Sequence, residues 1–230
     1  LDFSQAHPVP HPGGLEPSAM SFPMQRDWSD RPKAERTKLG LMAAAAAEIY
    51  ANGYHAASLS EILSRAGATK GALYHHFTDK RSLALAAMGF FFHTDLEEMW
   101  VNPFRHTDDP MTALQQLITF LHTSGALENG LKYGCPLVNL SEEMAVNDEA
   151  FRELINEVST EWRNAMAGAL RRGMASGKVR KDIDADSVAA FCMAVRHGVM
   201  SQAKIANDIQ ATALCAGAFF DYLETLRPST

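Results

Sequence analysis

Residues 69–80, TKGALYHHFTDK, gather two lysines, a tyrosine, two adjacent histidines and two threonine hydroxyls within about three helical turns. Three chemistries are open to such a set. Metal binding by His75 and His76 is disfavoured, because neighbouring helical residues point about 100° apart and cannot share one ion. His7 and His11 are separated by prolines that prevent a helical pair, so no metal is expected there either. Nucleophilic catalysis would pair Cys135 with His122 or His197, and no local signature surrounds that cysteine. The chain is therefore not read as an enzyme, and neither catalytic residues nor cofactors are expected. Phosphate binding fits better. Thr69 and Lys70 stand where a helix N-terminus offers free N–H groups. Tyr74 adds a hydroxyl on a rigid stem, Lys80 opens the next helix, and no carboxylate intervenes before Asp79. Gly71 and Ala72 are small enough to let the backbone approach a groove wall.

The elements that must position these groups are helical. A first helix over 33–51 carries Leu41, Ala45 and Ile49 on one face and stops at Asn52-Gly53. The tetrad Ser58-Leu59-Ser60-Glu61 reads as a capping box that opens a short helix with Leu59, Ile62, Leu63 and Ala66 facing inward. Gly67-Ala68 turns the chain, Thr69 caps a helix over 70–77, and Thr78 caps a long one ending before Asn102-Pro103. A short helix, a tight turn and a second short helix packed on a preceding one is a helix-turn-helix. Beyond it, helices are expected over 111–126, within 134–145, and over 148–176, 186–206 and 209–226, about nine in all. No strand is expected. The fold class is all-α: a three-helix helix-turn-helix domain (31–85) fit to meet DNA, a larger helical bundle (86–230), and a flexible Pro/Gly-rich arm (1–30).

Charge supports that division. The net charge is −6, yet residues 31–85 hold eight Lys/Arg against four Asp/Glu, whereas residues 86–230 hold twelve against nineteen. A basic unit joined to an acidic one meets a polyanion at one end only. Three widely spaced cysteines argue for a reducing compartment, and no apolar run reaches the roughly 18 residues of a membrane span. Residues 1–25 lack the Lys or Arg of a secretory signal, so a cytoplasmic protein without membrane association is expected.

Residues 36–88 resemble the DNA-binding domain of the tetracycline-repressor (TetR) family. The resemblance rests on the Gly53-Tyr54 turn, Ser58, Ile62, Ala66-Gly67, the run KGALYHHF from Lys70 to Phe77, and Lys80. It implies a homodimer on palindromic double-stranded operator DNA, repressing transcription until a small-molecule inducer binds the second domain. Ser58 and Ser60 would meet backbone phosphate, while Thr69, Lys70 and Ala72 would approach bases or groove walls. Tyr74, His75 and Lys80 would hold phosphates, and His76 would pack at the helix end. The alternative from another class is a helical small-molecule-binding protein or enzyme without DNA binding.

In the second domain, Trp100, His122, Tyr133, Asn139, Trp162, Arg196 and His197 are polar or aromatic residues on otherwise apolar helices. Each is either core or cavity wall. Arg196-His197 is the strongest pair, because a cation within an apolar helix needs an anion, internal or from a ligand. GCPLVNLSEEMA (134–145) also resembles a segment of a family branch that includes electrophile-responsive repressors. Cys135 in it begins a helix, where a thiolate would be stabilised, and an inert buried thiol is the competing reading. The expected inducer carries a carboxylate or an electrophilic group.

Overall fold

The computed structural model describes residues 12, 22–23, 26–123 and 128–228. Most of the expected arm, with His7 and His11, lies outside the described residues, as does the expected helix end at Ala126. The described residues form eleven α-helices and one π-helical segment, with no strand. They fall into two compact units, one within Ser21–Asp95 and Pro136–Glu157, the other largely within Leu96–Cys135 and Val158–Thr230.

In the first unit, α1 (Lys33–Asn52) buries Leu41, Met42, Ile49 and a run of alanines. The small alanine side chains let α2 (Leu59–Ala66), α3 (Lys70–His76) and α4 (Lys80–Phe91) pack closely on it. Gly53 ends α1 at φ +82°, its N–H closing on Ile49 O, and Gly67 ends α2 in the left-handed region. Ile62, Leu73 and Phe77 are buried, with Leu73 only 1% exposed. Leu59, Leu63 and Ala66 are half-buried.

Two caps differ from expectation. Ser58 makes no side-chain cap; its hydroxyl pairs with Ser60 Oγ at 2.7 Å, so the expected capping box is absent. A neighbouring hydroxyl outcompetes the backbone donor there. The capping box forms instead at α4, where Asp79 accepts from Ser82 N and Ser82 Oγ accepts from Asp79 N. Thr78, the expected cap, bonds Ser82 Oγ. A carboxylate is the stronger acceptor at the positive end of a helix dipole. Thr69 does cap α3, accepting from Ala72 N at 3.2 Å.

The long helix expected to end before Asn102-Pro103 instead changes hand-hold at Phe92. Residues Phe92–Val101 are π-helical, and α5 (Asn102–Arg105) follows with Pro103 in its first turn, where a missing N–H costs nothing. Thr94 Oγ1 donates to Phe90 O, competing for a carbonyl that the α ladder would use. Next to it, Asp95 is 1% exposed and ion-paired with Arg26 at 2.8 Å. Upstream, the Phe22 ring lies 5.5 Å from Tyr50 and 5.6 Å from Phe92 between centroids.

The segment 136–157 completes this unit with α8 (Pro136–Met144) and the start of α9 (Glu149–Ser176). Arg81 grips Asp148 in a two-pronged pair, at 2.5 and 2.8 Å. The second unit holds α5, α6 (Pro110–Thr123), α7 (Glu128–Tyr133), the rest of α9, α10 (Ala185–Ala206) and α11 (Ile209–Glu224). The short α7 was not anticipated from the sequence. In this unit α10 packs on α7 and α11, and α6 on α5 and α11. Gly173 permits a close approach: a Cβ there would lie 2.9 Å from Asp108 O and nearer still to Val179.

Candidate functional sites: an exposed short helix and an apolar cavity

The first candidate site is α3. With Leu73 and Phe77 turned inward, Thr69, Lys70, Gly71, Tyr74 and His75 are exposed and Ala72 is half-buried. Tyr74 is 55% exposed. A Cβ on Gly71 would meet nothing nearer than 3.8 Å, so the helix presents a low, open front. His75 and His76 stand edge to face at 4.9 Å. Burial, with His75 and Lys38 nearby, lowers the pKa of His76, so its ring is neutral near pH 7. No metal-binding cluster of His, Cys, Asp or Glu occurs among the described residues. Lys80 is engaged: its ammonium donates to His55 O at 3.1 Å and lies 5.0 Å from the Tyr54 ring centroid.

The second candidate site is a cavity of about 70 Å³ in the other unit. Trp100 comes from the π-helical segment, His122 from α6, Trp162 from α9, and Arg196 from α10. Phe219 of α11 adds to a wall that is otherwise almost wholly apolar. The Arg196 guanidinium stacks over the Trp100 ring at 4.0 Å. Its Nε is buried and has no hydrogen-bond partner among the described residues, and the same holds for Trp162 Nε1. Both are N–H groups, so both can only donate.

His122 differs. Its Nδ1 lies 2.8 Å from Ile118 O, which can only accept, so Nδ1 carries the proton and Nε2 accepts from Thr212 Oγ1 at 2.9 Å. Burial lowers its pKa, and the ring is a neutral, engaged part of the wall. His197 lies off the lining; burial, then the adjacent Arg196 charge, takes its pKa down to about 4. Tyr133, Cys135 and Asn139 are also off the lining, and Cys135 is buried immediately before α8. Two cysteines that the sequence did not single out, Cys192 and Cys215, do line the cavity, along with Thr212. Burial pushes the Cys192 thiol up to about 12, so it is a small apolar wall group rather than a nucleophile. Helical spacing from Arg196 would have found it, since positions 192, 199 and 200 share one face of α10 with 196.

Two models of one family match this chain. Bacterial regulatory proteins of the tetR family align over residues 41–87, and the tetracyclin repressor-like C-terminal domain over residues 110–219. The chain belongs to the TetR family. Among its TetR-type relatives is the transcriptional regulator AcuR of Cereibacter sphaeroides, 27% identical over 192 residues, covering 82% of this chain and 86% of that protein. The HTH-type transcriptional repressor DhaR of Mycobacterium sp. strain GP1 is 23% identical over 185 residues, covering 77% and 86%. The fold matches that of a TetR-family regulator from Cytophaga hutchinsonii with a TM-score of 0.76 at 17% identity, covering 86% of this chain and 98% of that one. This TetR-family chain is thus a DNA-binding transcriptional regulator, related to regulators rather than to enzymes. No helix among the described residues is long and apolar enough to cross a membrane.

Proposed function

We propose that this TetR-family chain is a cytoplasmic, ligand-responsive repressor: a homodimer that grips a near-palindromic double-stranded operator and releases it when a small carboxylate enters the cavity. Residues 31–85 read DNA, and residues 86–230 bind ligand and dimerise. Paired α3 helices enter successive major grooves, Thr69, Lys70 and Ala72 at bases or groove walls, with the Lys70 ammonium on wall phosphate, Tyr74, His75 and Lys80 toward phosphate, and Ser58 and Ser60 at the neighbouring backbone. The dimer forms through α10 and α11, whose outer faces leave Phe191, Ile205 and Leu214 exposed, Leu214 at 79%.

The observation that carries the ligand class is the pair of unpartnered N–H donors, Arg196 Nε and Trp162 Nε1, on residues that line one apolar cavity. A buried donor left unsatisfied costs about 1–3 kcal/mol, more when charged, so a ligand bringing acceptors is favoured over any other. Trp100 covers the face of the guanidinium, which leaves its edge for a carboxylate approaching in plane. A water needs roughly 10–15 Å³ of such space, so the cavity suits an acid of roughly five to seven non-hydrogen atoms. The other pocket candidates, Tyr133, Cys135, Asn139 and His197, have no part in this reading.

Tryptophan fluorescence of the full chain, titrated with short aliphatic monocarboxylates and their matched alcohols, tests it. The acids are expected to saturate a change the alcohols do not cause, and to release a duplex that the wild-type protein selects from a random pool. Equal response to acid and alcohol, or acid binding without release, defeats the reading.

A further inference from the structure

The α1–α2 turn is held from far along the sequence. Glu143, near the end of α8, accepts from both Tyr54 N–H and His55 N–H at 2.6 Å, one carboxylate oxygen to each. These two amides belong to the α1–α2 turn. The same turn is held by Lys80, which donates to His55 O, and by the Tyr54 ring against Phe151 at 5.4 Å. Gly53 is matched to the carboxylate. A Cβ at that position would lie 2.9 Å from Glu143 Oε2, and φ +82° is unfavourable for any other residue.

We infer that Glu143 is a positioning residue for DNA binding, its carboxylate holding the α1–α2 turn in the form that presents Ser58 and Ser60 to a phosphate. The inference rests on the DNA-binding reading above. Its sign follows from entropy. Ordering a residue's backbone costs conformational entropy, and a turn already ordered by Glu143 does not incur that cost when DNA arrives. The carboxylate also makes charge-assisted bonds to both donors, which a neutral amide cannot do, having one acceptor oxygen and a donor group facing an N–H.

The test uses the full chain and its selected duplex, with Glu143→Gln, Gly53→Ala and Lys70→Ala compared in parallel. Glu143→Gln is expected to weaken duplex binding about tenfold. Amide exchange should accelerate at Tyr54 and His55 while α6 and α10 keep their protection. Gly53→Ala, which crowds the same carboxylate, should reproduce both effects, and it decides the matter if Glu143→Gln does not fold. If Lys70→Ala weakens binding while Glu143→Gln and Gly53→Ala stay within twofold of wild type, the positioning role is overturned and the reading surface stands. If Lys70→Ala leaves binding unchanged, the DNA surface itself has been misassigned. A loss of protection spread over every helix would make Glu143 a general stabiliser and also overturn the inference.

Discussion

The reading helix and the cavity solve opposite problems with polar groups. On α3 the polar groups face water, so each costs nothing to leave unpaired until DNA replaces the solvent. In the cavity Arg196 Nε and Trp162 Nε1 are buried donors without a hydrogen-bond partner among the described residues, and a buried donor so placed carries a standing cost. One surface is poised by charge and shape; the other is poised by unsatisfied hydrogen bonding. The first should tolerate substitution in the free protein and show its losses only on DNA. The second should show effects in both free and bound states.

The sharpest way to break that contrast is Arg196→Met. Removing one charge-assisted hydrogen bond, worth about 1.5–3 kcal/mol, should weaken carboxylate binding by roughly tenfold to over a hundredfold by calorimetry. Free-protein stability should hold or rise, because an apolar chain replaces a half-buried side chain whose Nε has no hydrogen-bond partner among the described residues. A fall in stability with unchanged ligand affinity would show that the guanidinium serves the core instead. On the other surface, Lys70→Ala should leave the melting temperature alone and weaken binding to every duplex. In gel shifts across a salt series, the dependence should flatten by about one unit per subunit contact. Sequence-selective loss with an unchanged salt slope would move Lys70 from phosphate to base.

His197 gives the smallest effect and the finest distinction. Its folded pKa lies near 4, below the ordinary histidine value, so between about pH 6.5 and 4 the unfolded chain binds more protons. Stability should therefore fall as pH falls through that window, by about 1–2 kcal/mol between pH 7 and 5 after allowance for partial exposure. Urea unfolding of His197→Gln should show a shallower pH slope than wild type. An unchanged slope would assign the acid sensitivity to His122 or His76, whose pKa values are also lowered by burial.

How much was legible in the sequence follows from how local each feature is. The placement of α3, its inward Leu73 and Phe77 and its outward Lys70 and Tyr74 depend on spacing within one helix, and spacing is written in the chain. Caps were less legible, because Ser58 beside Ser60, and Thr78 beside Asp79, are equally plausible on paper and are separated by competition between adjacent groups. The π-helical turn depends on Thr94 and on a buried Asp95 whose cation comes from Arg26, 69 residues earlier. The cavity was half legible. Residue type marks Trp100, His122, Trp162 and Arg196, yet Tyr133, Asn139 and His197 carry the same mark and lie off the wall. What separates the two groups is azimuth about each helix once the helices have packed, and that is a property of the assembly.

The Arg26–Asp95 pair has a practical corollary. Anyone trimming this regulator for a biosensor would be drawn to cut just before α1, since the preceding segment carries no helix among the described residues. Such a cut removes the cation that neutralises a carboxylate sealed inside the first unit, together with the Phe22 ring against Tyr50 and Phe92. A shortened version should therefore begin upstream of Phe22, and a fusion tag placed there should be joined through a linker that leaves this stretch of chain its seat.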